Sequence, residues 1–428
     1  MSTAQMTGAA PTISRRDVLR GAVIGAAALA FCACDSSALP SVGRGSTVPA
    51  SSTPPPSVGS SPAVTPIPSP ASSPSAAASP TAGPDLTLHE KIAGLMVVGF
   101  RGSTIGQVSW LQVALRDLGL GGVILFDRDQ MTGADRNVLS SRQVTALIAD
   151  LRAEAGNRRI IVSVDQEGGV VTRLSPTHGF AAVASEAAIG MGTVARAQLW
   201  GRGIARTLSS AGFDLNFAPV VDLDVDPRSP AIGALDRSFS ANPDIVVKMA
   251  SAEIDAHRAA GVRTTLKHFP GIGSSTINTD FGVADVTATW TRTELEPFRR
   301  LIAAGKADVI MAGHVVNGQL DAARPASLSK AVVTGLLRGG LGWDGVVVTD
   351  DLQAKAIDAA FGRDEAVILA LEAGNDLLLF ANQQIYDPGI VSRVVSVVVE
   401  AVDSGRLPVA RIDEAWGRIQ RLFGGTAG

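Results

Sequence analysis

The chain has 428 residues, of which 46% are hydrophobic and only 4% aromatic, and its 37 basic and 40 acidic residues give a formal net charge of −3. A near-neutral balance without a cluster of Lys and Arg argues against a polyanion-binding surface, so we expect no nucleic-acid partner. The two cysteines, Cys32 and Cys34, lie close together near the N-terminus, which excludes an internal disulfide or a thiolate metal site in the rest of the chain.

Residues 1–35 have the pattern of an export signal. Paired arginines precede an apolar stretch over residues 21–31, which is shorter than the roughly 20 residues that a membrane-spanning helix needs. The arginine pair resembles a twin-arginine signal, and a small residue before a cysteine resembles a bacterial lipoprotein cleavage site. Ala33 before Cys34 fits such a site better than the bulky residue before Cys32. We predict that the protein is exported and carries a lipid anchor on Cys34, which would place it at the cell membrane or in the cell-wall space of a bacterium. The alternative is an export signal without a lipid.

Residues 36–84 have the composition of a tether. They are mainly Ser, Pro, Ala, Thr, Gly and Val, with one charged residue and no aromatic one. Such a segment cannot bury a core, and a flexible chain of this length reaches roughly 40 Å on average. We predict disorder here, either as a spacer that holds a folded domain away from a surface or as filler after the signal.

Residues 85–428 are predicted to form a single (β/α)8 TIM barrel, an α/β fold with one catalytic domain. Eight short apolar runs, rich in β-branched residues, do not alternate with polar positions, which is typical of strands buried on both faces. The spacers between the runs are long enough for crossover helices, and the length of the segment suits a barrel. The runs cover residues 96–100, 122–126, 160–165, 215–221, 264–268, 309–314, 346–350 and 376–380.

Charged side chains stand at the C-terminal ends of five of these runs. In chain order they are Asp165, Asp222 with Asp224, Lys267 with His268, His314, and Asp350 with Asp351. The C-terminal ends of the strands of a parallel barrel converge on one mouth, where the chemistry of such folds takes place. The pattern therefore predicts a polar site at that mouth.

Six motifs, in chain order, carry a family resemblance. They are Asp165-Gln166-Glu167-Gly168-Gly169 with Arg173, Asn216-Phe217-Ala218-Pro219-Val220-Val221-Asp222, Ser229-Pro230-Ala231-Ile232-Gly233, Arg237-Ser238-Phe239, Lys267-His268-Phe269-Pro270-Gly271 and Thr349-Asp350-Asp351-Leu352. This set resembles the β-N-acetylglucosaminidase branch of family 3 glycoside hydrolases and covers nearly all of the predicted barrel. The resemblance implies a single-barrel member that acts on a carbohydrate without a cofactor.

The resemblance also implies a nucleophile. Retaining glycoside hydrolysis needs one carboxylate that attacks the anomeric carbon, and a second group that first protonates the leaving oxygen and then deprotonates water. By its match to the family motif, Asp350 is the nucleophile. Asp351 follows on an extended segment, so we expect it to point away and to orient the loop or cap the next helix. The alternative for Asp350 is an N-cap of a helix over residues 352–361.

Six further residues are implied as sugar-binding: Asp165, Arg173, Arg237, Lys267, His268 and His314. Charged side chains form strong hydrogen bonds to sugar hydroxyls in a partly dry pocket. The alternative for each is a salt-bridge network that stiffens the mouth. Neighbouring residues on a strand face opposite sides, so one of Lys267 and His268 can be structural rather than sugar-binding, and the sequence leaves open which one. For His314 the alternative is a buried core histidine.

The loop after Lys267 departs from the family pattern. The branch normally carries an Asp-Ser-His triplet there, in which the His is the acid/base, whereas this chain reads Asn278-Thr279-Asp280. Asp280 thus stands at the position of the missing imidazole. Burial beside the negative Asp350 would raise the pKa of Asp280, so that Asp280 could serve as the acid/base of a glycosidase with two catalytic carboxylates. The other interpretations are that only substrates with good leaving groups are cleaved, or that the chain is a sugar-binding lipoprotein without catalysis. Val170, where the family often has Arg, is a smaller departure.

A metal-dependent hydrolase is the competing enzyme class. It needs a His-x-His pair at the first strand or a compact set of three ligands, and neither is present in the sequence. We therefore predict no metal. The sequence favours an exported, retaining, exo-acting β-N-acetylhexosaminidase-type enzyme that cleaves β-linked (N-acetyl)glucosaminides such as cell-wall fragments.

Overall fold

The computed structural model describes residues 86–278 and 282–424, which all belong to the unit Pro80–Gly428. The predicted leader, tether and lipidation residue Cys34 lie outside these residues, and so does Asp280. Within the described ranges, no helix is both long and apolar enough to cross a membrane.

Eight parallel strands form one sheet that curves into a barrel, which confirms the predicted fold. In chain order they are β1 Met96–Gly99, β2 Gly122–Leu125, β3 Ile161–Val164, β4 Leu215–Asn216, β5 Arg263–Phe269, β6 Val309–Ala312, β7 Val346–Thr349 and β8 Leu378–Phe380. From β1 to β7 each strand pairs with the next in chain order, and β8 pairs with β1 with Leu378 opposite Met96. A parallel bridge between Val348 and Leu377 joins β7 to β8 and closes the barrel.

Helices surround the barrel, and short ribbons extend its mouth. The α-helices are α1 Leu88–Gly94, α2 Ser109–Val113, α3 Ser141–Ala155, α4 Glu186–Gly190, α5 Val194–Ala211, α6 Pro243–Ala259, α7 Glu296–Ala303, α8 Lys355–Phe361, α9 Arg363–Ala373, α10 Ile390–Asp403 and α11 Val409–Phe423. Ala114–Leu118 and Ala331–Gly340 are π-helical, and five 3₁₀ turns cover Ile105–Gln107, Pro176–His178, Gly233–Leu235, Arg292–Leu295 and Ala326–Leu328. Gln166–Gly168 pairs with Val171–Thr172 in an antiparallel ribbon, and Ala284–Asp285 pairs with Val315–Val316 in a parallel one.

The outer helices pack closely where the sequence supplies small residues. Thr193 caps α5 by accepting a hydrogen bond from Arg196 N at 3.2 Å. Gly201 of α5 faces α6, where an added Cβ would lie only 3.0 Å from Glu253 Cα. The backbones of α5 and α6 therefore approach each other at a glycine, and Glu253 is fully buried beneath that contact.

The end of the barrel opposite the mouth is held by one buried carboxylate. Asp376, just before β8, accepts hydrogen bonds from Arg338 at 2.7 Å and Arg411 at 2.8 Å, and Arg418 lies 3.3 Å away. It also accepts from Val347 N of β7 at 3.0 Å. These bonds join the last two strands to α11 and to the π-helix Ala331–Gly340.

Candidate active site

A polar cavity opens at the C-terminal ends of the strands, where the sequence predicts a site. Predicted site residues that line it are Asp165, Arg173, Arg237, Lys267, His268 and Asp350. They come from β5 and from the segments that follow β3, β4 and β7, so four parts of the barrel contribute to one mouth. The structure thus brings together six of the predicted residues from four separate parts of the sequence.

A buried ion network forms one wall of the cavity. Lys267 Nζ lies 2.9 Å from Asp165 Oδ1 and 2.6 Å from Glu167 Oε1. Arg237 donates two hydrogen bonds of 2.8 Å to the same Glu167 carboxylate. Asp165 and Glu167 are two residues apart on an extended segment, which places both carboxylates on the same side. Sequence reasoning assigned no role to Glu167, although its spacing from Asp165 carries the signal.

Opposite charges keep this network ionised in spite of its burial. Burial alone raises the pKa of Glu167, but Arg237 and then Lys267 hold that pKa well below its ordinary value. Burial likewise lowers the pKa of Lys267, yet Asp165 and Glu167 outweigh it and raise that pKa. The wall is therefore a fixed array of charged donors and acceptors suited to hydroxyl groups.

His268 is oriented by Asp222, a fully buried carboxylate at the end of the β4 region. Asp222 Oδ2 accepts from His268 N at 3.0 Å and lies 2.7 Å from Nδ1, while Oδ1 accepts from Ile272 N at 2.9 Å. The ring thus donates through Nδ1 and presents Nε2 as the nitrogen for a ligand in the cavity.

Lys267 and His268 both line the cavity, so the alternation expected of strand neighbours is wrong here. The register of β5 against β6 shifts between Leu266 and Phe269, which interrupts the regular two-residue period. The Lys267–His268 peptide bond is cis.

Asp350 reaches the cavity from the end of β7. Its backbone N–H donates to Ala312 O at 3.0 Å, and its Oδ1 accepts from Asp351 N at 2.9 Å. Burial works to raise the pKa of Asp350, but His314, then His268 and the Asp351 N–H lower it below its ordinary value. The group is therefore an ionised carboxylate fixed through Oδ1, and within the described ranges no hydrogen bond engages its Oδ2.

Neither carboxylate in this pair caps a helix. The helix after the motif, α8, begins at Lys355 with Ala354 as its N-cap residue, so the N-cap alternative for Asp350 is wrong. Asp351 Oδ1 accepts from Gln353 N at 3.0 Å and from Ala381 N at 2.9 Å. Its side chain thus holds the turn after β7 against the segment after β8.

His314 lies beneath the motif rather than among the residues that line the cavity. It is buried, its Nδ1 lies 2.7 Å from Ser327 Oγ, and its Nε2 donates to Asp351 O at 2.8 Å. Both ring nitrogens are bonded within the protein, which favours the interpretation of a buried structural histidine that positions the Asp350–Asp351 turn over a direct contact with sugar.

Arg173 lies at the edge of the cavity beside Phe126. Its guanidinium carbon is 5.4 Å from the Phe126 ring centre, and Nη1 is 3.7 Å from Asp127 Oδ1. Its Nε is buried and has no hydrogen-bond partner in the described part of the chain. A buried N–H of this kind is a donor for a ligand atom.

The altered loop reaches the same cavity. Asn278 contributes to the lining, whereas Asp280 is outside the described residues. Across residues 86–278 and 282–424, no three His, Cys, Asp or Glu side chains are grouped so that they could hold a metal ion.

A parallel barrel that gathers an ionised aspartate and a buried ion network at the C-terminal ends of its strands has the architecture of a barrel hydrolase. A family model, the glycosyl hydrolase family 3 N terminal domain, matches residues 87–422. The chain therefore belongs to glycosyl hydrolase family 3, and it is a glycoside hydrolase.

Individual relatives agree with this assignment. A β-hexosaminidase of Tolumonas auensis is 37% identical over 279 residues, which are 63% of this chain and 78% of the relative. The structure of a β-N-acetylhexosaminidase from Beutenbergia cavernae has a TM-score of 0.72 and 32% identity, and the match covers 80% of this chain and all of that one. The structure of a family 3 β-N-acetylglucosaminidase from a Paenibacillus species gives a TM-score of 0.72 and 33% identity, over 80% of this chain and only 64% of that one.

Proposed function

We propose that the protein is an exported, retaining, exo-acting β-N-acetylhexosaminidase that hydrolyses β-linked (N-acetyl)glucosaminides such as cell-wall fragments. The observation that carries the proposal is the ionised Asp350 carboxylate, which is fixed at the mouth beside the Lys267 ion network. Relatives named β-hexosaminidase and β-N-acetylhexosaminidase support the choice of sugar.

In the first step, Asp350 attacks the anomeric carbon of the bound sugar. Oδ1 is held by Asp351 N, so Oδ2 forms the new bond to C1 while the bond from C1 to the leaving oxygen breaks. The product is a glycosyl ester on Asp350. Water then attacks C1, the ester bond breaks, and the sugar leaves with its original configuration while the carboxylate is restored.

The wall of the cavity holds the sugar during both steps. Lys267 and the Nε2 of His268 supply groups for hydroxyls on one side. The Nε–H of Arg173, which has no hydrogen-bond partner among the described residues, supplies a donor at the rim. Asp165 and Arg237 complete the array. Because these groups are already fixed by their own partners, a sugar meets them in place and little reorganisation is needed.

Asp280 is our candidate for the proton transfers. In the sequence it stands two residues after Asn278, which lines the cavity, and this adjacency supports the assignment. The role requires that Asp280 arrive protonated, and a nearby negative charge such as that of Asp350 would raise the pKa of a carboxyl group in the required direction. Asp280 gives its proton to the leaving oxygen in the first step and takes one from water in the second.

Trapping with a 2-fluoro glycoside tests the nucleophile. We expect intact-protein mass spectrometry to show one fluoroglycosyl adduct on the wild type and none on Asp350→Asn. Asp358→Asn is a matched control, because this carboxylate pairs with Arg363 on the outer helices and should leave the adduct unchanged. An adduct of equal yield on Asp350→Asn would remove that residue from the role.

The second candidate function is a sugar-binding lipoprotein without catalysis. The observation that favours it is the loop itself, which brings Asn278 to the cavity where the family carries the partner of its acid/base. Saturable binding of an N-acetylglucosaminide by calorimetry, together with no adduct and no turnover on the wild type, would establish this alternative.

Export and the lipid anchor are proposals that rest on the leader. Metabolic labelling with a fatty acid should mark the wild type and Cys32→Ala but not Cys34→Ala. Labelling that survives in Cys34→Ala would contradict Cys34 as the anchor.

A further inference from the structure

The exposed face of α5 carries positive charge that no acidic side chain balances. Arg196, Arg202 and Arg206 are exposed on this helix, and none of them forms an ion pair within residues 86–278 and 282–424. Residues 181–212, which contain α4 and α5, have no other basic residue and a single acidic one, Glu186, which is buried. The face therefore has no counter-charge on its own segment of chain.

Arginines on other outer helices do have acidic partners. Arg300 of α7 lies 2.6 Å from Asp244 of α6, and Arg393 of α10 lies 2.7 Å from Asp364 of α9. These pairs neutralise charge between neighbouring helices, whereas the three arginines of α5 leave theirs to the solvent. Charge complementarity thus indicates an anionic partner outside this chain.

The helical period brings the α5 arginines together, although they form no run in the sequence. Arg202 and Arg206 are four residues apart and are neighbours on the helix surface, where Arg206 Nε donates to Arg202 O at 3.2 Å. Leu199 is three residues before Arg202, on the same exposed face. At a rise of 1.5 Å per residue, the stripe from Arg196 to Arg206 is about 15 Å long. A stripe of this length suits an extended surface better than a single small anion.

A shallow groove of about 340 Å³ lies beside the last two arginines of the stripe. Its lining residues are Arg202, Ala205, Arg206, Ser209 and Ser210 of α5, and Ala256, Ala259 and Ala260 at the end of α6. Guanidinium and hydroxyl groups donate hydrogen bonds to phosphate oxygens, and the small alanine side chains keep the groove open. Since none of the lining residues is acidic, the groove suits a phosphate group.

Large apolar side chains are exposed on the same stretch of chain. Leu199, in the middle of the arginine stripe, is 61% exposed, and Met191, between α4 and α5, is 84% exposed. A soluble polyanion gains little from contact with such side chains. At a bilayer, however, they can enter the boundary between headgroups and acyl chains while neighbouring arginines contact the phosphates. The combination favours an anionic lipid surface as the partner.

We propose that the exposed face of α5 is a membrane contact, at which its three arginines bind the phosphate groups of anionic lipids and Leu199 enters the interface. The inference goes beyond the proposed glycosidase activity. Only its setting, a chain held near the membrane by a lipid on Cys34, rests on the proposed export. Because the outer helices of a parallel barrel run alongside the strands, this contact would lay the barrel axis along the bilayer and leave the mouth open to the side.

Vesicle binding by the full chain tests the contact. All proteins carry Cys34→Ala, so that no lipid anchor masks the result. Vesicles with one phosphatidylglycerol for every two phosphatidylcholine molecules are compared with vesicles of phosphatidylcholine alone. We expect binding to the anionic vesicles to be stronger. Arg202→Ser combined with Arg206→Ser should lower the partition coefficient by about fivefold for each arginine, and Leu199→Ser should lower it by roughly fivefold.

Arg393→Ser combined with Arg406→Ser is the matched control, because it removes the same charge from exposed residues that pair with acidic side chains. Equal losses in this control and in the α5 double variant would overturn the proposal, and so would equal binding to both kinds of vesicle. Polyphosphate is the probe for a soluble polyanion. If polyphosphate binds through the same arginines and Leu199→Ser binds vesicles like its parent, the lipid surface is excluded as the partner.

Turnover of a soluble aryl N-acetylglucosaminide separates this inference from the proposed function. The substituted side chains lie outside the cavity, so we expect kcat and KM to equal those of the Cys34→Ala parent. Loss of turnover in the α5 variants with parental vesicle binding would overturn the membrane contact. If the parent itself has no turnover, the proposed function fails, and vesicle binding alone decides about α5.

Discussion

Asp280 is the single residue on which the proposed acid/base chemistry depends. Asp280→Ala should lower kcat/KM by about 10²–10⁴-fold for sugars with poor leaving groups, because these need a proton in the first step. Aryl glycosides with acidic phenols should lose far less, and azide should partly restore their turnover. The comparison of the two substrate classes is the measurement, with exposed Asp285→Ala as the control. Equal losses on both classes would exclude Asp280 from this role.

Glu167 is the residue that holds two cations in place. Glu167→Gln removes the charge between Lys267 and Arg237 and leaves two poorly compensated cations in the wall. Breaking a buried ion pair in this way costs about 3–5 kcal/mol, so we expect the free energy of unfolding in urea to fall by about that much and KM to rise. Glu365→Gln, which breaks a surface pair with Arg406, should cost less than about 1 kcal/mol. Equal stability of Glu167→Gln and the wild type would contradict this account.

At the scale of elements, helix α6 is tied to the strand ends through a neutral histidine. His257 Nδ1 donates to Glu253 O at 2.9 Å, and Nε2 accepts from Asn216 Nδ2 at 3.1 Å. Asn216 in turn bonds Gln166 N at 3.0 Å, next to the ion network. Burial lowers the pKa of His257 from 6.5 to about 4, so the ring stays neutral over the physiological range.

This lowered pKa makes a prediction about stability. Between pH 6.5 and 4 the unfolded chain binds a proton at His257 and the folded chain does not, so the stabilising contribution is present above pH 6.5 and is lost as the pH falls. A shift of this size corresponds to about 3 kcal/mol. The difference between the wild-type and His257→Gln unfolding profiles from pH 7 to 4 should show this loss, and His89→Gln on α1 is the control. Parallel profiles for the wild type and His257→Gln would contradict it.

The strands show what sequence patterns can predict at this scale. All eight apolar runs overlap a strand, because strands buried on both faces need nearly continuous apolar residues. The run over residues 215–221 gives only a two-residue strand, since Pro219 has no N–H for the ladder. The shifted register that brings Lys267 and His268 to one cavity has no signal in local periodicity, because it depends on pairing with β6.

At the scale of the whole molecule, we expect Asp376 to contribute to the stability of the fold and not to catalysis. It lies at the end opposite the mouth, where Arg338, Arg411 and Arg418 converge on it. Asp376→Asn would leave these arginines without their common buried counter-charge, and we expect a loss of about 3–5 kcal/mol in unfolding free energy with KM unchanged. Urea denaturation and steady-state kinetics on one preparation measure both. If Asp376→Asn had a raised KM and wild-type stability, the assignment of stability to this end of the barrel and of the site to the other end would be contradicted.

The positions of site residues along the chain could be predicted, but their partners could not. Motif spacing placed Asp165, Lys267 and Asp350 at strand ends, and the barrel brings them to one mouth. The bidentate bond of Glu167 with Arg237 joins residues 70 positions apart, and the pKa of His257 is lowered by a burial that exists only in the folded chain. Such properties arise from tertiary packing, which no local pattern encodes.

The self-paired wall of the mouth has a consequence for selectivity between sugar epimers. Lys267, Glu167 and Arg237 are locked to one another, so they cannot swing to follow a hydroxyl that moves from an equatorial to an axial position. A ligand with one inverted carbon would leave a buried donor or acceptor unmatched, which costs about 1–3 kcal/mol. Because the wall does not rearrange, we expect it to discriminate between epimers by a geometry that the folded chain has before any saccharide binds.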